Sequence, residues 1–275
     1  MNTLNILFTL NKKYINLLFT CLLSIGKHHK NDQMHFHIVS NDIVEEDLEI
    51  LKKELSGHYK YTFYSYTNDV LENAKTTYRY PQEIYYRLFA KCYLKDDVDR
   101  ILYLDVDTIV IKNLRHLYKL NFEDKFFIGS TNIKKALTKF NNIKNKATYD
   151  SHYLNTGVLL INVEGLRKNQ DIDLLNEYII KHDKTLFLPD QDVLNALYGN
   201  KVKLVDHLLY NLSDRALMKH NFGKANKIDL DWVNKNSCII HYYGKNKPWN
   251  EKYKGILSEY YFFYENYRKK LVETI

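Results

Sequence analysis

Along the chain, short apolar runs alternate with longer stretches of helical period. Residues 4–10 form an apolar run of strand length, and residues 15–29 are apolar nearly all round at their start, which predicts a buried helix. Residues 35–40 read as a second strand. Asn41 and Asp42 open a helix in which Val44, Leu48, Leu51 and Leu55 share a face and Gly57 supplies the stop. Residues 60–66 form a third strand with Tyr61, Phe63 and Ser65 on one side. Pro81 opens a helix through Tyr93, with Leu88 and Cys92 toward the core. Further strands are predicted over 101–104, 126–130, 152–163 and 238–241. Helices are predicted over 113–120, 174–182, from Pro189 or Asp190 onward, and over 258–270. Strand, helix, strand, helix, strand at the start is the pattern of an α/β fold with a Rossmann-like sheet that binds a nucleotide near its first turn. Neither a Gly-x-Gly-x-x-Gly turn nor a Walker A loop is present, so a dinucleotide dehydrogenase or a P-loop enzyme is not expected.

The apolar run Ile101-Leu-Tyr-Leu104 ends in Asp105-Val106-Asp107. Carboxylates at i and i+2 repel each other and resist burial. A divalent cation resolves that conflict, and oxygen ligands suit Mn²⁺ or Mg²⁺; a strand-end turn in which both aspartates cap the next segment is the plainer alternative. Arg87 is out of place in its apolar helix and is either a snorkelling surface residue or a buried ligand for a pyrophosphate or sugar. Gly157, in Asn155-Thr-Gly157 inside an apolar strand, marks a close approach by a ligand or by backbone. Asp190-Gln191-Asp192 falls at a helix start; capping accounts for the two acids and leaves Gln191 unexplained.

A length of 275 residues accommodates one large α/β domain or two modest ones, and the chain is read as a main domain over 1–250 with an aromatic, basic helical tail over 251–275. The formal charge of +7 favours anionic partners. No block of like charge reaches the length of a nucleic-acid tail and no nucleic-acid motif is found, so nucleic acid is not an expected partner. Residues 133–149 carry five lysines and no acid, either as a solvated face or facing an anionic acceptor or a membrane. The tail ends in Arg268-Lys-Lys270, which suits peripheral contact with an anionic inner membrane face. Lys12-Lys13 before the apolar run mimics a signal peptide, yet no small-residue cleavage site follows. Cys21, Cys92 and Cys238 are widely spaced in apolar surroundings and read as buried thiols of a cytoplasmic protein.

Four motifs in order resemble glycosyltransferase family 8, which includes bacterial lipopolysaccharide galactosyl- and glucosyltransferases and glycogenin. They are Leu104-Asp-Val-Asp107, Asn155-Thr-Gly-Val-Leu-Leu-Ile-Asn162, Asp190-Gln-Asp192 and His241-x-x-Gly244-x-x-Lys247-Pro-Trp249. The resemblance implies a GT-A fold with a mixed sheet, and retaining transfer of glucose or galactose from a UDP-sugar to a glycan, lipid-linked or protein-linked acceptor. It implies Mn²⁺, with Mg²⁺ as a substitute, held by Asp105, Asp107 and His241. By position, Thr9, Asn11 and Tyr14 flank the uracil, and Val106 accompanies the metal aspartates in the donor site. Gly244 and Lys247 hold the phosphates, and Arg87, Asn155, Asp190 and Gln191 surround the donor sugar. Asn11 stands where one branch of the family has an acid. Gln191 is a poor nucleophile, so same-face attack is expected, with Gln191 stabilising positive charge and Asp190 orienting a hydroxyl. Two rivals remain. One is a UDP-sugar-binding protein without turnover; the other is a haloacid-dehalogenase-type phosphatase using Asp105, although about 100 residues precede the motif and Lys247-Pro-Trp249 has no role there. The 24 tyrosines suit cores and sugar-stacking faces as well as self-glycosylation.

Overall fold

The computed structural model describes residues 3–55, 59–73, 81–131 and 152–273. Its strands are β1 Leu4–Thr9, β2 Met34–Val39, β3 Tyr59–Tyr64, β4 Arg100–Leu104, β5 Thr108–Val110, β6 Phe127–Ser130, β7 Asn155–Asn162, β8 Val202–Leu204 and β9 Ile239–His241. The longer helices are α1 Ile15–His28, α2 Val163–Asn169, α3 Ile172–His182, α4 Pro189–Tyr198, α5 Asp214–Asn221, α6 Leu230–Asn236 and α7 Ser258–Glu273.

Seven strands form one sheet in the order β3-β2-β1-β4-β7-β6-β8. The first four are mutually parallel, β7 runs antiparallel to both β4 and β6, and β8 is parallel to β6. The expected mixed α/β sheet is thus present. β4 explains why its strand reads as a continuous apolar run. Leu102 and Leu104 enter the core on one face of the sheet, while Ile101 and Tyr103 enter the core on the other. A strand buried on both sides has no polar face to show. α1, buried from Leu18 to Gly26, packs against β5 and α7, as its all-round apolar start requires.

β5 was not separable from the β4 run by sequence. It pairs antiparallel with β9, Thr108 opposite His241 and Val110 opposite Ile239, in a ribbon outside the main sheet. β8, α2, α5 and α6 have no counterpart among the predicted elements: β8 spans three residues and the helices seven or eight, too few for a clear apolar period.

Three expectations are corrected. The helix after β2 does not begin at Asn41-Asp42. The Asp42 carboxylate instead accepts from the Lys12 amide and the Ser40 hydroxyl, the helical turns begin at Glu45, and Val44 is 52% exposed. The Pro81–Tyr93 helix is broken by a 3₁₀ turn at Arg87–Phe89. Such a turn advances about 120° per residue against 100° in an α-helix, so three residues rotate the succeeding turn by about 60°. Cys92 accordingly faces outward and is exposed, and Cys238 is half-buried; only Cys21 of the three thiols is buried. The Gly57 stop and the lysine-rich stretch 133–149 lie outside the described residues.

A buried polar network ties the end of α1 to the segment after β5. The Leu114 amide donates to His29 Nε2 at 3.0 Å, which leaves Nδ1 as the protonated nitrogen facing Asp32 Oδ2 at 2.6 Å. Arg115 Nε and Nη2 donate to Asp32 Oδ1 at 3.0 and 2.6 Å. Burial works against ionisation of Asp32, yet Arg115 and His29 outweigh it and hold the carboxyl below the usual range. The unfolded chain therefore takes up a proton first as pH falls. The stability from this group is complete above the unfolded pKa of about 4 and is lost below it. We expect Asp32→Ala to cost about 2 kcal/mol at pH 7, and urea denaturation should show the gap to wild type closing between about pH 5 and pH 3. A gap that is constant with pH would mean that the network contributes no charge-dependent stability.

Candidate functional site

The site lies at the carboxyl end of β4, where β7 begins beside it. The Asp105 amide donates to the Gly157 carbonyl at 2.8 Å, so the β4–β7 ladder extends just far enough to bring Asp105 over Gly157. A Cβ at Gly157 would sit 2.1 Å from His241 Cε1 and 2.5 Å from Asp105 Oδ2. Glycine is required there because the imidazole and carboxylate occupy the space of a side chain. The close approach at this residue is made by two side chains, where a ligand or backbone was expected.

The β5–β9 ribbon delivers the third member. With His241 opposite Thr108, its Nε2 lies 3.1 Å from Asp107 Oδ1 and 3.5 Å from Asp105 Oδ2. One ligand atom from each of Asp105, Asp107 and His241 falls within 4.8 Å of the others. Asp107 Oδ1 and His241 Nε2 are buried without a hydrogen-bond partner. Two hard oxygens and one imidazole nitrogen, with two of them unsatisfied, fit a divalent cation of the Mn²⁺ or Mg²⁺ type.

Positive charge surrounds the carboxylates. Arg87 is 4% exposed, which excludes the snorkelling alternative. Its Nη2 lies 3.1 Å from Asp105 Oδ1, and its Nη1 donates to the Thr156 carbonyl at 2.8 Å and lies 3.5 Å from Asp190 Oδ2. The guanidinium rests on the Tyr103 ring at 4.1 Å, and the Tyr103 hydroxyl donates to Asp105 Oδ1 at 2.6 Å. Burial opposes the Asp105 charge; Arg87 first, then His241 and Tyr103, outweigh it and hold the carboxyl well below the usual range. Asp107 is likewise held down against burial, chiefly by Lys247, which forms an ion pair with its Oδ2. Burial lowers the His241 pKa, but Asp107 and Asp105 more than reverse this and raise it to about 9. Asp190 differs: burial raises its carboxyl, and Arg87 and the Thr156 hydroxyl, at 2.5 Å, offset this only in part.

Asp190-Gln191-Asp192 separates into distinct duties. Asp192 Oδ2 accepts from the Phe187 and Leu188 amides at 2.8 and 3.2 Å, and its Oδ1 accepts from Tyr153. It secures the entry to α4. Asp190 is directed to Arg87 instead, and Gln191 lines the open space.

That space is one cavity of about 1330 Å³. The residues that the resemblance assigns to the donor site line it: Thr9, Asn11, Tyr14, Arg87, Asp105, Val106, Asp107, Asn155, Asp190, Gln191, His241, Gly244 and Lys247. Gly157 and Asp192 do not. The Thr9 hydroxyl donates to the Glu83 carbonyl at 2.8 Å, and Asn11 Oδ1 is buried without a partner. Gly244 has φ +85°, a left-handed conformation that favours glycine. Sequence reasoning missed Tyr103 and Thr156, which hold Arg87, Asp105 and Asp190. It also missed Asn211, whose Oδ1 lies 2.8 Å from His241 Nδ1. Tyr103 reads from sequence as one more apolar strand residue and Thr156 as the unmarked middle of Asn155-Thr-Gly157, while the partner of Asn211 is 30 positions away. Arg215, Lys219 and His220 of α5 add an unpredicted basic stretch to the wall.

A family model described as glycosyl transferase family 8 matches residues 5–253. A lipopolysaccharide 1,2-glucosyltransferase of Escherichia coli is 27% identical over 90% of this chain and 74% of its own. The lipopolysaccharide glucosyltransferase WaaO of E. coli K12 is 29% identical over 86% of this chain and 70% of its own. General stress protein A of Bacillus subtilis is 26% identical over 75% and 73%. Among solved structures, the galactosyltransferase LgtC in complex with donor and acceptor sugar analogs superposes with a TM-score of 0.79 across 96% of both chains at 22% identity, a likeness of fold, here GT-A. With the family's model matched along most of its length, this chain belongs to glycosyl transferase family 8.

Proposed function

We propose that this protein is a retaining, Mn²⁺-dependent hexosyltransferase that moves glucose or galactose from a UDP-sugar to a glycan acceptor, lipid-linked or protein-linked. The observation that carries the reading is the cation-ready trio Asp105, Asp107 and His241 on the wall of a cavity large enough for a nucleotide sugar. The names of the lipopolysaccharide glucosyltransferase relatives support a hexose donor.

In this reading Tyr14 stacks on the uracil, and the unpartnered Asn11 Oδ1 accepts from its N3–H, a role that an amide fills as well as an acid. Lys247 and the backbone at Gly244 face the diphosphate. Bound at Asp105, Asp107 and His241, the cation supplies Lewis-acid stabilisation of the departing UDP. Arg87 is fixed by Asp105, Asp190, the Thr156 carbonyl and the Tyr103 ring, so it offers a positive charge that needs no reorganisation. Asp190 Oδ2 is committed to Thr156 and Arg87, which favours holding a sugar hydroxyl over attacking carbon. Gln191 then stabilises positive charge on the reacting sugar while the acceptor attacks from the face that UDP leaves. The imidazole of His241 against both aspartates and the family match along the chain weigh against the phosphatase alternative.

No helix of the described residues is long and apolar enough to cross a membrane. We place the protein on the cytoplasmic side, in keeping with three free thiols. α7, with Phe263 60% and Val272 44% exposed near Lys269 and Lys270, is the segment suited to peripheral membrane contact.

Calorimetry with UDP tests the reading. Mn²⁺ should tighten UDP binding by about tenfold or more, near 1.4 kcal/mol, and Asp107→Ala should abolish that gain. Absence of UDP binding with and without Mn²⁺ would reject a donor site here. Gly157→Ala tests the trio separately, because its Cβ cannot coexist with His241 and Asp105 as they stand. Mn²⁺ affinity, read by paramagnetic resonance of the free ion, should fall about tenfold or more; unchanged affinity would mean that the cation is held elsewhere.

A further inference from the structure

Asn211 is fully buried and follows the short helix His207–Tyr210. Its backbone is secured on both sides: its own amide donates to the His207 carbonyl at 3.0 Å, and the next residue, Leu212, exchanges bonds with β9. The Leu212 amide donates to the Ile239 carbonyl at 3.0 Å, and the His241 amide donates to the Leu212 carbonyl at 2.7 Å. The Asn211 side chain is therefore fixed relative to His241 by main-chain bonds.

The direction of the side-chain hydrogen bonds follows from one group that cannot be reversed. The Gly157 amide can only donate, and its partner, 3.2 Å away, is Asn155 Oδ1. That end of Asn155 is thus the carbonyl oxygen. The Asn211 atom 2.9 Å from the same oxygen must then be its Nδ2, so Asn211 Oδ1 is the end facing His241 Nδ1 at 2.8 Å. An amide oxygen only accepts, so Nδ1 carries a hydrogen, and in the neutral ring that binds a cation Nε2 is the nitrogen whose lone pair faces Asp105 and Asp107.

We propose that Asn211, itself clamped by Asn155, is a positioning residue that fixes the tautomer and ring orientation of His241 for cation binding. This rests on the reading of Asp105, Asp107 and His241 as a cation site. Metal-bound imidazoles commonly need an acceptor on their other nitrogen, and losing it weakens the metal without removing a ligand. Asn155 so acquires a second duty: its oxygen is committed to the relay, and only its Nδ2 is left for a donor sugar.

The test is Mn²⁺ affinity without nucleotide, read by paramagnetic resonance, in wild type, Asn211→Leu and Asn211→Asp. Leu fills the site but accepts nothing, and a loss of about 10- to 100-fold is expected. Asp restores an acceptor for Nδ1–H and should bind within about threefold of wild type or tighter. A purely structural asparagine predicts no such rescue, since Asp also loses the bond to Asn155. Should Asn211→Leu fail to fold, Asn155→Ala frees the Asn211 amide to turn over and should weaken Mn²⁺ by about three- to tenfold. Nitrogen-15 spectra of the Zn²⁺-loaded protein should show the proton on His241 Nδ1 in wild type and in Asn211→Asp. Affinity unchanged in Asn211→Leu, equal losses in Leu and Asp, or a proton on Nε2 would overturn the inference while leaving the cation site intact. Wild type that binds no Mn²⁺ would remove the cation reading and this inference together.

Discussion

Asp105, Asp107 and Asp190 converge on one end of a sheet that is buried on both faces, and that crowding of like charge is the constraint on which the site depends. A buried ion without a partner costs several kcal/mol, a large share of the 5–15 kcal/mol that stabilises a typical domain. Arg87 answers Asp105 and Asp190 together, and Lys247 answers Asp107. His241 supplies the remaining balance, as an imidazolium in the free protein or as a neutral ligand beside a cation, and its pKa near 9 expresses how strongly the two aspartates demand positive charge there. The ionised aspartates are therefore an electrostatic settlement reached by residues from five parts of the chain.

The topology makes that settlement possible. β4, the central strand, carries Asp105 to the carboxyl end of the sheet, while β7, antiparallel to it, brings Gly157 alongside with no side chain to intrude. The 3₁₀ break at Arg87–Phe89 turns an arginine inward from a segment whose other large residues, Tyr85, Tyr86 and Phe89, are in the core. The β5–β9 ribbon lies outside the main sheet and has a single evident task, to hold His241 against Asp107. α1 supports that ribbon through contacts with β5 and is itself packed against α7.

The polar groups of the cavity are unevenly partnered. Asn11 Oδ1 is a buried acceptor without a hydrogen-bond partner, and the Tyr14 ring lines the same cavity. The wall around Arg87 and Asp190 has paired charges that leave hydrogen-bonding capacity toward the open space. The basic face of α5 adds positive charge to the wall. The Asp32, His29 and Arg115 network is remote in role but similar in logic, because there too a carboxylate is kept ionised by partners brought from another segment.

The sequence by itself determined the α/β class, the strand that ends in Asp105, the glycine at 157 and the histidine closing β9. These are local features: an apolar run has a length, a carboxylate follows it, and a glycine stands where a strand would carry a side chain. The thirteen residues assigned to the donor site by the motifs and by position line one cavity. Only the tertiary structure decided which charges meet. Arg87 could have been a surface residue until Asp105 and Asp190 enclosed it, and Asp190 and Asp192 looked equivalent until one capped α4 and the other turned to Arg87. Cys92 was placed in the core by an unbroken helical period that the 3₁₀ turn does not respect. Asn211 gave no signal at all, because an asparagine after a short helix is ordinary. Its importance comes from a hydrogen-bond chain through Asn155 and His241, residues 56 and 30 positions away, which exists only once the chain has folded.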